Sequence, residues 1–196
     1  MTDRAGQPEP GAAARHVSAF SGREKVARLV WAIVQVTLFR CSFTTWFGFR
    51  NRLLRLFGAN VHRSCRIRRL VRFECPWNFS AGANTSIGDG AIIYCLGPVK
   101  LGERVTISQY THVCAGAHDY TKPAMPLLRP PITIESDVWI AADAFVGPDV
   151  TVGEGAILGA RGAAFADLEP WTIYRGNPAV AVRPRRYEGR ESVQGD

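Results

Sequence analysis

A chain of 196 residues with 46% hydrophobic and 21% charged residues is long enough for one domain with a short appendage. This composition excludes wholesale disorder and a polytopic membrane protein. The longest nearly apolar stretch, from Leu29 to Phe39, is too short for a spanning helix, which needs roughly 20 apolar residues. It suits a segment that lies on a membrane and does not cross it.

The formal net charge of +7 is concentrated in the first third of the chain. Residues 1–72 hold 14 Lys+Arg against 3 Asp+Glu, a net of +11, whereas residues 73–196 hold 10 against 14, a net of −4. A basic segment that is also apolar favours an anionic membrane surface or a polyanionic substrate. Because no nucleic-acid-binding motif accompanies the charge, we expect no nucleic-acid partner.

The cysteines indicate the compartment. They are five in number, an odd set without a CxxC pair, and lie at Cys41, Cys65, Cys75, Cys95 and Cys114. The first twenty residues lack the apolar core of a signal peptide. We therefore expect reduced thiols and a cytoplasmic protein, with peripheral contact at the inner face of the membrane as its closest approach to lipid.

The first 58 residues fall into two parts. Residues 1–21, rich in Ala, Gly and Pro, are predicted to form a disordered tail. Residues 22–58 carry apolar and aromatic residues interleaved with Arg at helical spacing, which predicts a basic amphipathic segment of one or two helices ending at Gly58. Its apolar faces are expected to contact the main domain, another subunit or a membrane.

Beyond Val61 the apolar residues recur every six positions. An aliphatic or small residue occupies these places in three runs: Ala81, Ile87 and Ile93; then Leu101, Ile107 and Val113; then Ile134, Ile140, Val146, Val152, Leu158 and Ala164. A period of six is neither that of a helix nor that of an ordinary strand. Hexapeptide repeats indicate a parallel β-helix, in which each hexad is a short strand plus a turn.

Three hexads make one triangular coil, and successive coils stack at the strand spacing of about 4.8 Å. Residues 59–182 are predicted to form this domain, with roughly five coils between residues 61 and 165, and residues 183–196 a C-terminal tail. Small residues one place after the aliphatic position, such as Gly82 and Gly102, are expected to permit the tight turn between faces. The fold class is all-β.

The repeat has one long interruption, residues 118–131, and it carries an ionisable group. His118 stands at the root of this loop, fixed by the last regular hexad yet facing outward. Loops that leave a regular solenoid are where function concentrates. An imidazole there can take a proton near neutral pH, as general-base attack by a hydroxyl requires.

These residues resemble the hexapeptide-repeat O-acetyltransferases, in particular the colanic-acid-type and maltose/galactoside-type sugar acetyltransferases. The resemblance covers about Leu53 to Arg186. The segments that carry it are Leu53-Leu54-Arg55-Leu56-Phe57-Gly58-Ala59, Pro76-Trp77-Asn78, Ile87-Gly88-Asp89-Gly90, Ser108-Gln109, Gly116-Ala117-His118-Asp119-Tyr120-Thr121, Val138-Trp139-Ile140-Ala141-Ala142 and Gly176-Asn177-Pro178-Ala179.

The resemblance implies a left-handed β-helix that assembles as a homotrimer. It also implies a reaction, the direct transfer of acetyl from acetyl-CoA to a sugar or glycan hydroxyl in polysaccharide biosynthesis. His118 then takes the place of the family's catalytic base. No acyl-enzyme and no metal are implied, and the acceptor would contact Tyr94 and Asp119.

Family members bind CoA along the groove between neighbouring subunits, mainly through backbone groups of successive coils. By motif match, Ala142 and Ala160 take those places, with Trp139 nearby and Arg183 meeting the phosphates. The chain departs from the family at Phe165-Ala166-Asp167, where relatives commonly read Thr-Lys-Asp. Arg161 or Arg175 is then expected to replace the customary lysine.

Two readings of other classes stay open at this point. His112 and His118, six residues apart, raise a metal hydrase of the gamma-carbonic-anhydrase kind, but three convergent ligands are needed and His16 and His62 lie far from the loop. The other reading is a non-enzymatic solenoid scaffold that docks to membrane or polysaccharide. The residues also leave open a longer acyl donor, a small-molecule or antibiotic acceptor, and an amine nucleophile.

Overall fold

The computed structural model describes residues 19–186. Residues 1–18 and 187–196 lie outside the described residues, and with them most of the predicted N-terminal tail 1–21 and most of the predicted C-terminal tail 183–196. The final strand of the described chain includes residues 183 and 184.

Two helices precede the solenoid. Helix α1, Gly22–Val34, begins with a capping box: the Ser21 hydroxyl accepts from the Glu24 amide, and the Glu24 carboxylate accepts from the Ser21 amide. It runs on into a π-helical turn, Gln35–Phe39. Helix α2, Phe47–Leu56, follows after a short connection and ends just before Gly58, whose φ of 87° suits glycine. None of the helices among residues 19–186 is long and apolar enough to cross a membrane.

The rest is a left-handed parallel β-helix with three faces, which confirms the predicted fold class. Sheet A contains β1 (Asn60–Val61), β4 (Phe79–Ala81), β7 (Val99–Leu101), β12 (Ile132–Ile134) and β15 (Thr151–Val152). Sheet B contains β2 (Arg66–Ile67), β5 (Ser86–Ile87), β8 (Thr106–Ile107), β13 (Trp139–Ile140), β16 (Ile157–Leu158), β18 (Thr172–Arg175) and β19 (Val180–Pro184). Sheet C contains β3 (Arg72–Phe73), β6 (Ile92–Tyr94), β9 (His112–Cys114), β14 (Phe145–Val146) and β17 (Ala163–Ala164).

Five complete coils and part of a sixth are present in the described chain. The hexad positions stack in register: Ile87 lies beside Ile107, which lies beside Ile140, and all three are buried. The small or β-branched residues four positions after the aliphatic residue of a hexad, such as Val105 after Leu101 and Ala144 after Ile140, are buried as well. The core is thus a column of aliphatic side chains, one layer for each coil.

The glycines that follow the aliphatic positions serve a different purpose from the one expected. A Cβ atom added to Gly82 would lie 2.7 Å from the carbonyl carbon of Gly102, and one added to Gly102 would lie 2.6 Å from the Ser136 amide nitrogen. The left-handed backbone of the turns falls two places later, at Asn84 and Arg104, with φ of 60° and 55°. These glycines therefore permit close stacking of coils, and other residues make the turn.

The free edge of the first coil is covered by the helical segment. Main-chain carbonyls on that edge accept hydrogen bonds from side chains of the helices, and the Phe73 amide donates to the Gln35 side chain. The donors, each with its carbonyl, are Trp31 Nε1 to Phe73, Arg50 Nε to Ile67, Asn51 Nδ2 to Cys65 and Arg55 Nη1 to Val61. These bonds fix the helices against the solenoid, since the backbone groups of a sheet edge must find partners.

Candidate active site

His118 stands in a hairpin that leaves the solenoid. The hairpin consists of β10 (Ala117–His118) and β11 (Leu127–Leu128), which pair antiparallel with His118 opposite Leu127. It emerges after β9 on sheet C and the chain rejoins the solenoid at β12 on sheet A. The imidazole is exposed, so a substrate can reach it.

The ring of His118 is held by one hydrogen bond from the described chain. Its Nδ1 lies 2.7 Å from the Met125 carbonyl oxygen, which can only accept, so Nδ1 carries the hydrogen and donates. The neutral ring then has its lone pair on Nε2. A fixed tautomer with a free Nε2 is the arrangement that a general base needs.

Sequence reasoning did not identify Met125. Its φ of 45° turns the backbone so that its amide donates to the Lys122 carbonyl, at 2.9 Å, while its own carbonyl faces the His118 ring. A main-chain acceptor at the tip of a hairpin leaves no signature in residue type. The turn geometry alone creates the contact.

Asp119 organises the hairpin turn. Its carboxylate accepts from the Thr121 amide at 3.2 Å and the Thr121 hydroxyl at 2.5 Å, and it pairs with Lys122 Nζ at 3.1 Å. The hydrogen bond from Thr121, followed by that from Lys122, lowers the pKa of Asp119. With these contacts Asp119 caps the turn of the hairpin.

Tyr94 lies beside the root of the hairpin. A Cβ atom added to Gly116 would lie 2.9 Å from Cε1 of the Tyr94 ring, so the ring packs on bare backbone two residues before His118. Burial raises the pKa of the Tyr94 hydroxyl. The structure thus brings Tyr94 close to the loop that carries His118.

The hairpin is tied to the start of helix α1. Arg129 Nη1 pairs with Glu24 Oε1 at 2.8 Å, and Arg129 Nη2 donates to the Ala19 carbonyl at 3.0 Å. The Phe20 ring has the Arg129 guanidinium 4.7 Å from its centroid and the Arg28 guanidinium at 3.9 Å. The ion pair between Arg129 and Glu24 joins residues 105 positions apart, so no local sequence pattern could have predicted it.

Trp139 and Arg183 lie in one row across the outside of sheet B. Trp139 is opposite Ile157, Ile157 is opposite Ile173, and Ile173 is opposite Arg183. Three strand spacings make the row about 14 Å long. Trp139 is 45% exposed, and its Nε1 donates to the Ser108 hydroxyl at 3.0 Å, which holds the indole against the surface.

Ala142 and Ala160 occupy one corner of the solenoid on successive coils. Each lies between a strand of sheet B and a strand of sheet C, and the Ala142 carbonyl accepts from the Arg161 amide at 3.0 Å. Arg161 is largely exposed and pairs with Asp143, whereas Arg175 packs over Gly159. Both arginines named as replacements for the missing lysine therefore border this corner.

One chain does not bring all the predicted site residues together. His118, Asp119 and Tyr94 gather where sheet C passes to sheet A, whereas Ala142 and Ala160 gather where sheet B passes to sheet C. An open groove of about 570 Å³ lies elsewhere, between sheets A and B, and its lining includes Lys100, Glu135 and Glu154 but not His118.

The two histidines of the hydrase reading have different surroundings. The His112 ring is held edge-on between Tyr94 and Phe145, with centroids at 6.3 Å and 5.6 Å, on the outside of sheet C. Burial, followed by the charge of Arg72, lowers the pKa of His112. Residues 19–186 contain no group of three or more His, Cys, Asp or Glu side chains placed to hold a metal ion.

No family model matches the chain. A relative in Escherichia coli strain K12, named colanic acid biosynthesis acetyltransferase WcaF, is 37% identical over 166 residues, which is 85% of this chain and 91% of the relative. A hexapeptide-repeat acetyltransferase from Vibrio cholerae O1 biovar eltor, solved with acetyl-CoA, superposes with a TM-score of 0.76 at 25% identity, covering 88% of this chain and 94% of the other.

A galactoside acetyltransferase solved with coenzyme A superposes with a TM-score of 0.79 over 96% of this chain and 98% of the other, and at 19% identity this likeness concerns the fold. The resemblance read from the motifs is confirmed by the WcaF relative, which matches along nearly the whole of both chains. On sequence and on fold together, the chain belongs to the hexapeptide-repeat acetyltransferases.

Proposed function

We propose that this chain, an acetyltransferase by family, moves acetyl from acetyl-CoA to a glycan hydroxyl with His118 as the general base. The observation that carries the proposal is the hydrogen bond from His118 Nδ1 to the Met125 carbonyl, which leaves Nε2 free to accept a proton. Acetyl-CoA supplies the thioester. The chain supplies the base, the position of the acceptor and a surface for the donor.

The proton follows one path. His118 Nε2 takes the hydroxyl proton as the acceptor oxygen bonds to the thioester carbon, and the C–S bond then breaks. The imidazolium returns the same proton to the departing sulfur, so the free base is regenerated and the thiol is released. Nδ1 keeps its hydrogen throughout because the Met125 carbonyl holds it.

Tyr94 and Asp119 are proposed to border the acceptor. Tyr94 supports this because its ring lies against Gly116, beneath the hairpin, and Asp119 because it adjoins the base. Since the Asp119 carboxylate is already engaged by Thr121 and Lys122, its contribution is to hold the hairpin in the shape that receives the acceptor.

The donor is proposed to lie along the row from Trp139 to Arg183, beside the corner of Ala142 and Ala160. Small side chains at that corner leave the backbone accessible, and the exposed Arg183 makes no ion pair with another residue of the described chain, so it is available to a phosphate. Because His118 stands at a different corner, a groove that holds both substrates needs two copies of the chain. We therefore propose a homotrimer, the closed assembly that shares such grooves.

The acceptor is proposed to be a sugar of a growing polysaccharide or lipid-linked glycan, which the WcaF relative supports by its name. A cytoplasmic location at the inner face of the membrane follows, because such acceptors are built there and the helical segment is basic. The five cysteines are all free thiols, as that location requires.

The first test replaces His118 with Ala in an assay that follows thiol release from acetyl-CoA across a panel of free sugars, nucleotide sugars and oligosaccharides. We expect turnover to fall by about 10²–10⁴-fold, the usual contribution of a general base. Binding of CoA, measured by calorimetry, should be unchanged. His62→Ala, another exposed histidine far from the hairpin, is the matched control, and wild-type turnover in His118→Ala would refute the role of His118.

A second test addresses the shared groove. His118→Ala and a bulky variant at the donor corner, Ala142→Trp, should each be inactive alone. Mixed trimers from co-expression should regain part of the activity, since some grooves would combine an intact His118 from one chain with an intact Ala142 from its neighbour. Absence of any recovery in confirmed mixed trimers would place both substrates on a single chain.

A further inference from the structure

The outer side of helix α1 and of the π-helical turn that continues it carries a stripe of exposed aliphatic residues. Val26, Leu29, Ile33 and Val36 are 62%, 63%, 55% and 57% exposed, and they recur at the three- and four-residue spacing of one helical face. The opposite side is fixed to the solenoid through Trp31, which is fully buried. The stripe therefore faces away from the protein.

A small cavity lies at one end of this stripe. Val36 forms part of its wall, together with Gln35, Arg40 and residues 69–72, and its volume is about 70 Å³. That volume holds several water molecules, and so a single phosphate group. Apolar surface and cavity are thus continuous at Val36.

The cavity is lined by three exposed guanidinium groups, those of Arg40, Arg69 and Arg72. None of the three forms an ion pair with another residue within residues 19–186. The acidic groups nearest along the chain are already engaged, Asp89 by Arg68 and Glu74 by Arg28. Uncompensated guanidinium groups around one small space suit an anion with several acceptor oxygens, and phosphate is the common one.

The distribution of charge favours a lipid surface over a second copy of the chain as the partner of the stripe and the cavity. Residues 19–72 hold 12 Lys+Arg and 1 Asp+Glu, a net of +11, whereas residues 73–186 hold 9 against 11, a net of −2. A second copy therefore offers no comparable concentration of negative charge. A bilayer of anionic lipids offers both apolar depth for the stripe and phosphates for the cavity.

We propose that the cavity of Arg40, Arg69 and Arg72 binds the phosphate of a membrane lipid while the stripe of Val26, Leu29, Ile33 and Val36 enters the acyl boundary. This inference rests on the membrane association included in the proposed function and names the lipid group and the residues that hold it. The surface would keep the enzyme on the membrane that presents its glycan acceptor.

The test compares two matched double variants of the full chain in flotation with phosphatidylcholine vesicles, with and without phosphatidylglycerol. Arg69→Gln/Arg72→Gln removes two charges at the cavity. Arg63→Gln/Arg66→Gln removes two exposed charges from the same coil and outside the cavity. We expect the first to weaken binding to phosphatidylglycerol vesicles by about 30-fold, at about 1 kcal/mol for each cation near the surface, and the second to weaken it much less.

A third variant, Leu29→Gln/Ile33→Gln, removes the apolar contribution and should also release the protein from vesicles. Equal losses of vesicle binding in the two arginine variants would overturn the role of the cavity, because general attraction between basic residues and anionic lipid would then explain the binding. Trimer dissociation in the third variant with vesicle binding intact would assign the stripe to a second copy. Calorimetric binding of inorganic phosphate to wild type, without any vesicle binding, would overturn the lipid as its source.

Vesicle binding and acetyl transfer are measured independently of each other. Thiol release with a soluble acceptor is measured without vesicles, and flotation is measured without acetyl-CoA. The arginine variants should keep their turnover with soluble acceptors, because Arg69 and Arg72 lie outside both substrate-binding regions.

Discussion

The solenoid and the helical segment before it treat apolar residues in opposite ways. In the solenoid, the aliphatic residue of each hexad is buried, from Ile67 in the first coil to Leu158 in the fifth. In the helical segment only one side is buried, and that side carries Trp31, Phe39 and Leu54. The residues of the stripe on the other side are each more than half exposed. Apolar side chains buried within the chain stabilise the fold. A contiguous apolar patch that stays exposed indicates a binding partner.

The largest expected difference between the two regions is in stability. Ile140→Ala removes a fully buried side chain from the solenoid and should cost about 2–5 kcal/mol. Leu29→Ala on the stripe should change the free energy of unfolding by less than about 0.5 kcal/mol. Urea unfolding of both variants measures the contrast, and a cost for Leu29→Ala similar to that for Ile140→Ala would mean that the stripe is packed in an oligomer interface.

A smaller effect is expected where the two regions meet. Arg129→Gln removes the ion pair with Glu24 and the cation over the Phe20 ring, and so loosens the hairpin of His118. We expect kcat to fall by about tenfold with the KM for acetyl-CoA unchanged, because the proposed general base would be misplaced.

The matched control for that variant is Arg104→Gln, which removes a surface ion pair with Asp137 on the solenoid. It should leave both constants as they are in wild type. If Arg129→Gln lowered the melting temperature and left kcat intact, Arg129 would have a structural role and no part in positioning His118.

The smallest effect concerns pH. The hydrogen bond from Arg129, followed by that from Ser21, lowers the pKa of Glu24. A lowered pKa in the folded state stabilises the protein above the ordinary Glu pKa of about 4.3, and this stability is lost as the pH falls through the folded value. The contribution is below about 1 kcal/mol because the pair is partly exposed.

Melting temperatures of wild type and Glu24→Gln measured from neutral to acid pH will show this contribution. Wild type should be more stable at neutral pH, and the two curves should converge in the acid range. A constant offset at all pH values would assign the effect to packing of the side chain.

The solenoid could be predicted from the sequence because each hexad repeats the same local requirement, an aliphatic residue buried in the column. The position of His118 followed from the single long interruption of that repeat, residues 118–131. The partner of its Nδ1 could not be predicted, since it is the main-chain carbonyl of Met125 and depends on a turn with positive φ. The link from Arg129 to Glu24 spans 105 residues and obeys no period.

The side of helix α1 that faces the solenoid could not be predicted from the sequence either. Trp31 and Leu29 are both apolar, and a helix with apolar residues on several sides does not reveal which side meets the protein. Trp31 faces inward because its indole nitrogen bonds to the Phe73 carbonyl on the free edge of the first coil. Long-range bonds to an edge are not encoded in local spacing.

The covering of that edge has a consequence for how molecules meet one another. A parallel β-helix ends in rows of backbone groups that are complementary to the next coil, so two uncovered ends would join and a fibre could grow from them. Trp31, Arg50, Asn51 and Arg55 occupy the carbonyls at the first end, and β19 reverses direction beside β18 at the other. The two helices and the β18–β19 pair therefore cap the ends of the solenoid, and these caps oppose end-to-end polymerisation.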